Sequence, residues 1–216
     1  MAKQCLQQSG TSMPSVSLLQ EAQTVIRNPY CLGSTYPVQE QIINLLFRQQ
    51  FPFQNNNLDI VKVKTSTLNL YYGTFIIATN KLAHGIFNIT DIDTRLKNGD
   101  LSLVDDIATI LPRRNYSFAT KYCACHNPNA FPIYDRYVAE RLAQIICKGR
   151  LAGFSGSLTK IRQNLKVYSY YVSVYDAFIK QFDLQTLTYR QVDLYLWYSC
   201  HPQSTFNKQS LILFTL

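Results

Sequence analysis

Residues 111–138 read LPRRNYSFATKYCACHNPNAFPIYDRYV, and the reading of this stretch decides the fold of the chain. Leu111-Pro112 closes a preceding helix, because proline cannot be continued into helical hydrogen bonding. Arg113-Arg114-Asn115 follows as a charged turn. Ser117–His126 carries the pattern of a second helix, and Asn127-Pro128-Asn129 ends it in a turn. Phe131–Tyr134 reads as extended, since Pro132 drives the residue before it out of the helical region. Asp135 then stands at the cap of a helix over 136–148, with Val138, Leu142, Ile145 and Ile146 on its inward face.

Three parts of this stretch carry separate chemistry. Arg113, Arg114 and Asn115 sit between two helices, where guanidinium groups and free amides can hold a phosphate. Ser117 and Lys121 lie one helical turn apart. Asp135 is held as an anion at a helix N-terminus by the dipole and the free amides there. Taken singly, each has an ordinary structural reading: a helix cap, a solvated lysine, a surface turn. Their order and spacing set them apart.

The charge distribution points to the same place. The formal net charge is +8, from 21 Lys and Arg against 13 Asp and Glu. Residues 1–110 hold eight of each sign, so the whole excess lies in 111–216, with thirteen basic residues against five acidic ones. A one-sided basic surface suits a polyanion such as nucleic acid or an acidic membrane, or serves only solubility. No apolar run approaches the roughly 18 residues of a membrane span. The N-terminus has no apolar core of a secretory signal. Six cysteines (Cys5, Cys31, Cys123, Cys125, Cys147, Cys200) form no C-x-x-C pair. The expectation is a reduced, cytoplasmic protein.

Outward from the central stretch the periodicity is helical. Residues 1–14 read as a flexible tail, and Ser17–Arg27 as a helix with a Ser17/Gln20 capping box, ended by Asn28-Pro29. Residues 37–50 place Val38, Ile42, Leu45 and Leu46 on one stripe. The β-branched content of residues 58–79 allows a strand, but Ile60, Val63, Thr67 or Leu68, and Tyr71 recur at helical spacing, and the segment reads as a helix broken near Gly73. Short helices follow over 80–87 and 102–110, the latter capped by Asp100 or Ser102. A long helix over 158–182 and a last one over 188–198 complete an all-α chain, with a closing apolar patch at 211–216.

The central stretch resembles the helix-hairpin-helix DNA glycosylase superfamily, which includes endonuclease III, adenine DNA glycosylase and 8-oxoguanine glycosylase. That family's pattern is L-P-G-V-G-(x)-K/S-x-A, then a helix and loop, then P-x-x-D-x-x-V. Without a gap, Leu111-Pro112, Ala119, Pro132, Asp135 and Val138 fall on it, and F-P-I-Y-D is similar to the F-P-I-L-D of adenine DNA glycosylases. L-N-L-Y-Y-G-T (68–74), G-D-L-S-L-V (99–104), S-F-A-T-K-Y-C (117–123) and V-D-L-Y-L-W (192–197) look like the bacterial 8-oxoguanine glycosylase branch. The resemblance implies a two-lobed helical architecture with the active site in the cleft between lobes. One lobe would take in 30–135 and the other 15–29 together with 136–216, as a single unit over 15–216.

It also implies the chemistry. Breaking an N-glycosidic bond builds positive charge on the deoxyribose, and a fixed carboxylate at Asp135 stabilises that charge electrostatically. Ser117 falls where bifunctional members carry a Schiff-base lysine, which implies hydrolysis without a lyase step. Lys121, one turn on, is the alternative amine if the helix is shifted. The hairpin glycines are replaced by Arg113, Arg114 and Asn115, so phosphate contact would rest on side chains. No four-cysteine cluster closes the chain, and no cofactor or metal is expected. Arg136 would extend the DNA contacts, and Tyr71, Tyr72, Tyr116 and Tyr134 are candidates to stack a flipped base. The substrate expected is duplex DNA bound by a monomer. The excised base would be an oxidised purine, or a bulky modified cytosine of phage DNA, which would make the activity an antiviral defence. The competing expectation is a non-catalytic helix-hairpin-helix DNA-binding protein in which Asp135 only caps a helix.

Overall fold

Helix after helix follows from the apolar spacing, and the computed structural model describes residues 17–27 and 36–200 as helices joined by turns, with no strand among the described residues. In order these are α1 (Leu18–Ile26), α2 (Tyr36–Asn44), α3 (Leu58–Tyr71), α4 (Thr79–Phe87), α5 (Ile92–Asn98) and α6 (Ser102–Ala108). There follow α7 (Tyr116–His126), α8 (Arg136–Cys147), α9 (Leu158–Asn164), α10 (Tyr168–Gln181) and α11 (Tyr189–Cys200). The all-α expectation holds. The expected tail over 1–14, the Asn28-Pro29 stop, Cys5, Cys31 and the apolar patch over 211–216 lie outside the described residues.

The capping chemistry read from the sequence is present at α1. Ser17 Oγ accepts from the Gln20 amide at 3.2 Å while Gln20 Oε1 accepts from the Ser17 amide at 3.0 Å. Asp100 Oδ1 accepts from Ser102 N and Ser102 Oγ at the start of α6, which ends at Ala108, two residues short of the expected 110.

Two helices are present with part of the expected face turned outward, while Leu46, Leu68 and Tyr71 keep their inward place. After α2 the chain continues as a π turn over Leu45–Gln50, and the buried positions are Ile43 and Phe47, with Leu46 half-buried against the core. Val38 and Leu45 are exposed. In α3 the buried residues are Val61, Lys64, Thr65 and Leu68, while Val63 points out. The expected helix over 158–182 is two helices. Lys166 and Val167 amides bond three residues back, to Gln163 and Asn164, and Val167 is extended at φ −94°, ψ 118°. This turn lets α9 pack on α8 while α10 runs past the segment before Asp135. Helix α5 was not foreseen, since Ile92 and Leu96 are its only two buried apolar positions and too few to show a period.

Packing ties the two ends of the sequence together. α1 lies against α11, and α11 against α8. Tyr195 donates to Glu21 Oε1 across the first contact, and Arg190 of α11 forms an ion pair with Glu40 of α2. On the other side α3 packs on α4, and α6 on α7. Gly85 permits the approach of α4 to Ile110: a Cβ there would lie 2.2 Å from Ile110 Cγ2. Buried apolar residues such as Leu82, Ile86, Leu103 and Ile107 each contribute about 1.5–3 kcal/mol by leaving water.

A polar knot is buried beside this core. Tyr122 donates to Asn55 Oδ1 at 2.5 Å, and Asn55 Nδ2 lies 2.5 Å from Asp93 Oδ1 and 3.4 Å from His126 Nε2. With its amide hydrogens directed to Asp93 and His126, Asn55 leaves the imidazole proton on Nδ1, which has no partner among the described residues. Burial, helped by the charges of Lys64 and Arg48, holds His126 well below the usual imidazole range. No helix among the described residues is long and apolar enough to cross a membrane.

Candidate active site

The hairpin forms around α6 and α7. Their connection, 109–115, is closed by the Asn115 amide donating to Ala108 O at 2.8 Å. The Asn115 side chain makes no capping bond to the first amides of α7. Arg114 is ion-paired with Asp105 and lies over the Tyr116 ring at 4.9 Å, which commits much of its guanidinium to the hairpin itself. Arg113 has no ion pair among the described residues, and its carbonyl accepts from Asn115 Nδ2 at 2.6 Å.

Past α7 the chain crosses in extended form to Asp135, and α10 pins that crossing. Tyr168 Oη donates to Pro132 O at 2.9 Å and Tyr171 Oη to Ile133 O at 2.8 Å. Tyr175 Oη donates to Asp193 Oδ1 at 2.7 Å, and Asp193 Oδ2 accepts from Ile133 N at 3.1 Å. The tyrosines are three and four residues apart on one helical face, so α10 holds Pro132 O and Ile133 O directly and Ile133 N through Asp193 of α11. Asp135 then caps α8: its Oδ1 accepts from Tyr137 N at 2.8 Å and Val138 N at 3.4 Å. Its Oδ2 makes no hydrogen bond among the described residues.

The carboxylate faces a cavity of about 760 Å³, within the range of small-molecule sites. Ser117, Lys121, Tyr134 and Asp135 line its floor. Arg113, Arg114, Asn115, Tyr116 and Arg136 line one wall, and the loop from Tyr72 to Ala78 lines the other. A smaller cavity of about 230 Å³ adjoins it, lined by Tyr71, Gln39, Trp197, Arg190 and Asp193. Tyr72, Lys121 and Asp135 belong to both. The structure thus brings together every residue the sequence singled out, Tyr71 in the smaller cavity and the rest in the larger. Tyr116 is the least available for stacking. It is buried, its ring centroid 4.5 Å from that of Tyr134, and its hydroxyl points to Leu165 O at 3.5 Å. Arg136 lies over the Tyr137 ring at 4.6 Å and donates to its hydroxyl.

Lys121 is buried, 7% exposed, with its amine 5.6 Å from the Tyr72 ring centroid. Burial lowers its pKa below that of an ordinary lysine, and the negative charges of Asp135 and Asp193 oppose the shift. Its Nζ donates to Ser117 Oγ at 2.5 Å, and Ser117 Oγ in turn donates to Tyr134 O at 3.2 Å. The serine proton is therefore committed to a carbonyl, and the serine orients the amine. A neutral amine so held keeps a lone pair free for attack.

Sequence reasoning missed Asp193, Arg190, Trp197 and Gln39 as site residues. The signal was faint: an acid inside the apolar V-D-L-Y-L-W run, whose carboxylate must be satisfied inside. Burial pushes Asp193 up to about 7, opposed by Arg190, the Tyr175 hydroxyl, the Ile133 amide and Lys121. Among the described residues no three His, Cys, Asp or Glu side chains gather as a metal site.

Comparison with known proteins covers the first part of the chain. An uncharacterized protein of Haemophilus influenzae is 38% identical over 133 residues, a match covering 60% of this chain and 60% of that protein. The chain thus spans about 60% of the length of the curated relative it matches. No solved structure matches the chain. A family model, HI_0787_N, described as an N-terminal domain, matches residues 19–130, which takes in the hairpin, Ser117 and Lys121 and stops short of Asp135. That range is more than half of the 216 residues, and the protein belongs to this family.

Proposed function

We propose that the protein is a DNA glycosylase with a two-lobed helical architecture, its active site in the cleft that holds Lys121 and Asp135. The observation that carries this reading is the convergence of a buried amine and a helix-capping carboxylate on the wall shared by two adjoining cavities. A flipped nucleotide would place its sugar at that wall and its base in the smaller cavity, between Tyr71, Tyr72 and Trp197. The carboxylate of Asp135 would stabilise the positive charge that develops on the sugar as the base departs.

The arrangement favours the Lys121 amine as nucleophile over a simple hydrolysis. Its lone pair bonds to the anomeric carbon as the glycosidic bond breaks, and that electron pair leaves with the base, which takes up a proton. The amine gives one proton through Asp135 or water to the departing base, and on ring opening its second proton passes to the ring oxygen, which leaves a Schiff base. Hydrolysis by a water that Asp135 guides, the mechanism the Ser117 alignment implies, uses the same carboxylate without the covalent step. The substrate we propose is an oxidised purine or a bulky modified cytosine of phage DNA.

The non-catalytic alternative has the capping bonds to Tyr137 and Val138 in its favour. Asp135→Asn separates the two, because asparagine is an equally good cap and leaves α8 in place. Mass spectrometry of bases released from genomic and phage DNAs is expected to find a modified base with the wild-type protein and a loss of about 100-fold or more with Asp135→Asn. A folded, DNA-binding variant with unchanged release on every substrate would leave Asp135 a cap and nothing more.

A further inference from the structure

The loop between α3 and α4 projects two large apolar side chains into solvent beside the basic wall of the larger cavity. Phe75 is 87% exposed and Ile77 101%, while Ile76 between them is buried. The projection is built in. Asn69 Oδ1 accepts from Ile76 N at 2.8 Å and from Thr74 Oγ1 at 2.7 Å, and Asn69 Nδ2 donates to Ile76 O at 3.1 Å. One side chain thus clamps both backbone groups of Ile76 and forces its neighbours outward. Phe75 sits at φ +53°, a left-handed conformation that an aromatic residue rarely adopts. Nothing in the core requires this shape, since neither exposed side chain packs there.

The surroundings select the occupant. Lys81, Arg113, Arg114 and Arg136 line the same cavity, with Asp135 as its one acid. Apolar tips next to cations fit a target that is anionic outside and apolar within. A bilayer answers that description, but it is flat, and these cations line a concavity that its surface would bridge. A nucleic acid duplex presents phosphates that can follow the concave wall, and its base stack accepts apolar wedges from loops.

We propose that Phe75 and Ile77 insert into the base stack of duplex DNA and fill the gap left by a nucleotide displaced into the cavity behind them. The proposal rests on the reading of the cavity as a nucleotide site, and insertion itself does not depend on any base being released.

The test uses a duplex oligonucleotide carrying a fluorescent adenine analogue that stacking quenches, with Ile77→Ser and Phe75→Ser compared to the wild-type protein. Both side chains stand in solvent, so the variants are expected to fold. The wild-type protein should raise the fluorescence severalfold on binding, and each variant should lose most of that rise. Release of a susceptible base from a paired site should fall severalfold in the variants, and a target opposite an abasic site should restore it. A fluorescence rise lost in the variants, with no base released from any DNA, keeps the insertion and removes the glycosylase. Equal fluorescence and equal release in variants and wild type overturn the insertion and leave the glycosylase standing. No binding to the duplex, or binding instead to phosphatidylserine-containing vesicles that the variants lose, overturns the proposal.

Discussion

The amine of Lys121 lies 2.5 Å from the hydroxyl of Ser117, one turn earlier on α7. The serine and the lysine, alternatives when read from the sequence, are joined by this hydrogen bond, and on the proposed reading Lys121 is the nucleophile and Ser117 the group that aims it. Lys121→Ala should abolish the borohydride-trapped adduct with DNA. Ser117→Ala should keep it and slow its formation about tenfold, as expected for one lost positioning bond. Burial lowers the pKa of the amine, so adduct formation should rise with pH and level off below the pH at which an ordinary lysine is deprotonated. An adduct that survives Lys121→Ala, or none with the wild-type protein while base is still released, would return the mechanism to hydrolysis.

Arg113 and Arg114 are adjacent in sequence and differ in what they are free to do. Arg114 is held by Asp105 and the Tyr116 ring, whereas Arg113 has no ion pair among the described residues. If the hairpin binds a phosphate, Arg113→Ala should reduce the slope of log Kd against log salt by about one. Arg114→Ala should change that slope less and lower stability by about 0.5–1 kcal/mol through the loss of its pair and stacking. Fluorescence anisotropy over a salt series, with urea denaturation of each variant, checks both. A larger slope change for Arg114 would show that DNA displaces the Asp105 pair.

How far the sequence carries these conclusions depends on whether the cause is local. The Asp135 cap was legible because it needs only an extended segment before it and two amides after it. The α3 helix was legible from its spacing, but its buried face was not. Lys64 takes an inward position that a hydrophobic pattern assigns to apolar residues, and Asp93, whose charge opposes the lowering of its pKa, comes from α5, about thirty residues on. The break at Leu165–Val167 carries no glycine or proline, and follows from the separate packing of α9 and α10. The tyrosines of α10 read as a core stripe, which they are. That their hydroxyls hold the segment before Asp135 depends on a contact across more than thirty residues.

Those hydroxyls give a direct test of positioning. Tyr171→Phe leaves the buried carbonyl of Ile133 without its 2.8 Å donor, at a cost of about 1–2 kcal/mol. Tyr168→Phe does the same at Pro132. Urea denaturation should show the loss in each. Single-turnover base release should fall severalfold with DNA affinity unchanged, because the segment that carries Asp135 is loosened while the basic wall is not. Destabilised variants with wild-type rates would restrict these tyrosines to holding the fold.

Lys64 is buried with its amine 3.4 Å from Gln54 O and 5.6 Å from the Phe47 ring centroid. Burial lowers its pKa to about 8, with Asp93 opposing. The folded-state value lies below that of an unfolded lysine, about 10.4, so folding releases a proton between them. Stability should therefore rise as pH increases from about 8 to about 10.4. Lys64→Met fills similar space without a charge and should stabilise the protein at neutral pH by roughly 1–3 kcal/mol while removing that rise. Denaturation midpoints of both proteins across this window measure it. A destabilised Met variant would mean that the bonds of the amine outweigh its burial.

Asp193 carries the opposite sign. Burial raises its carboxyl to about 7, above the unfolded value of 3.8, so folding takes up a proton between the two. Its contribution to stability is complete below about pH 4 and is lost as pH rises through about 7. In Asp193→Asn a single carbonyl oxygen replaces two carboxylate oxygens, one of which serves Tyr175 and the other Ile133. One donor is then left facing an amide, at a cost of about 1–3 kcal/mol. The variant should therefore be less stable at acid pH, yet lack the decline from about pH 4 to 7. The same substitution removes a negative charge that raises the Lys121 pKa. Adduct formation in the variant should then reach its plateau at lower pH than in the wild-type protein. Urea midpoints and trapping rates over one pH series read both effects. A decline that persists in the variant would assign the titration to another group, and an unshifted trapping profile would separate Asp193 from the amine.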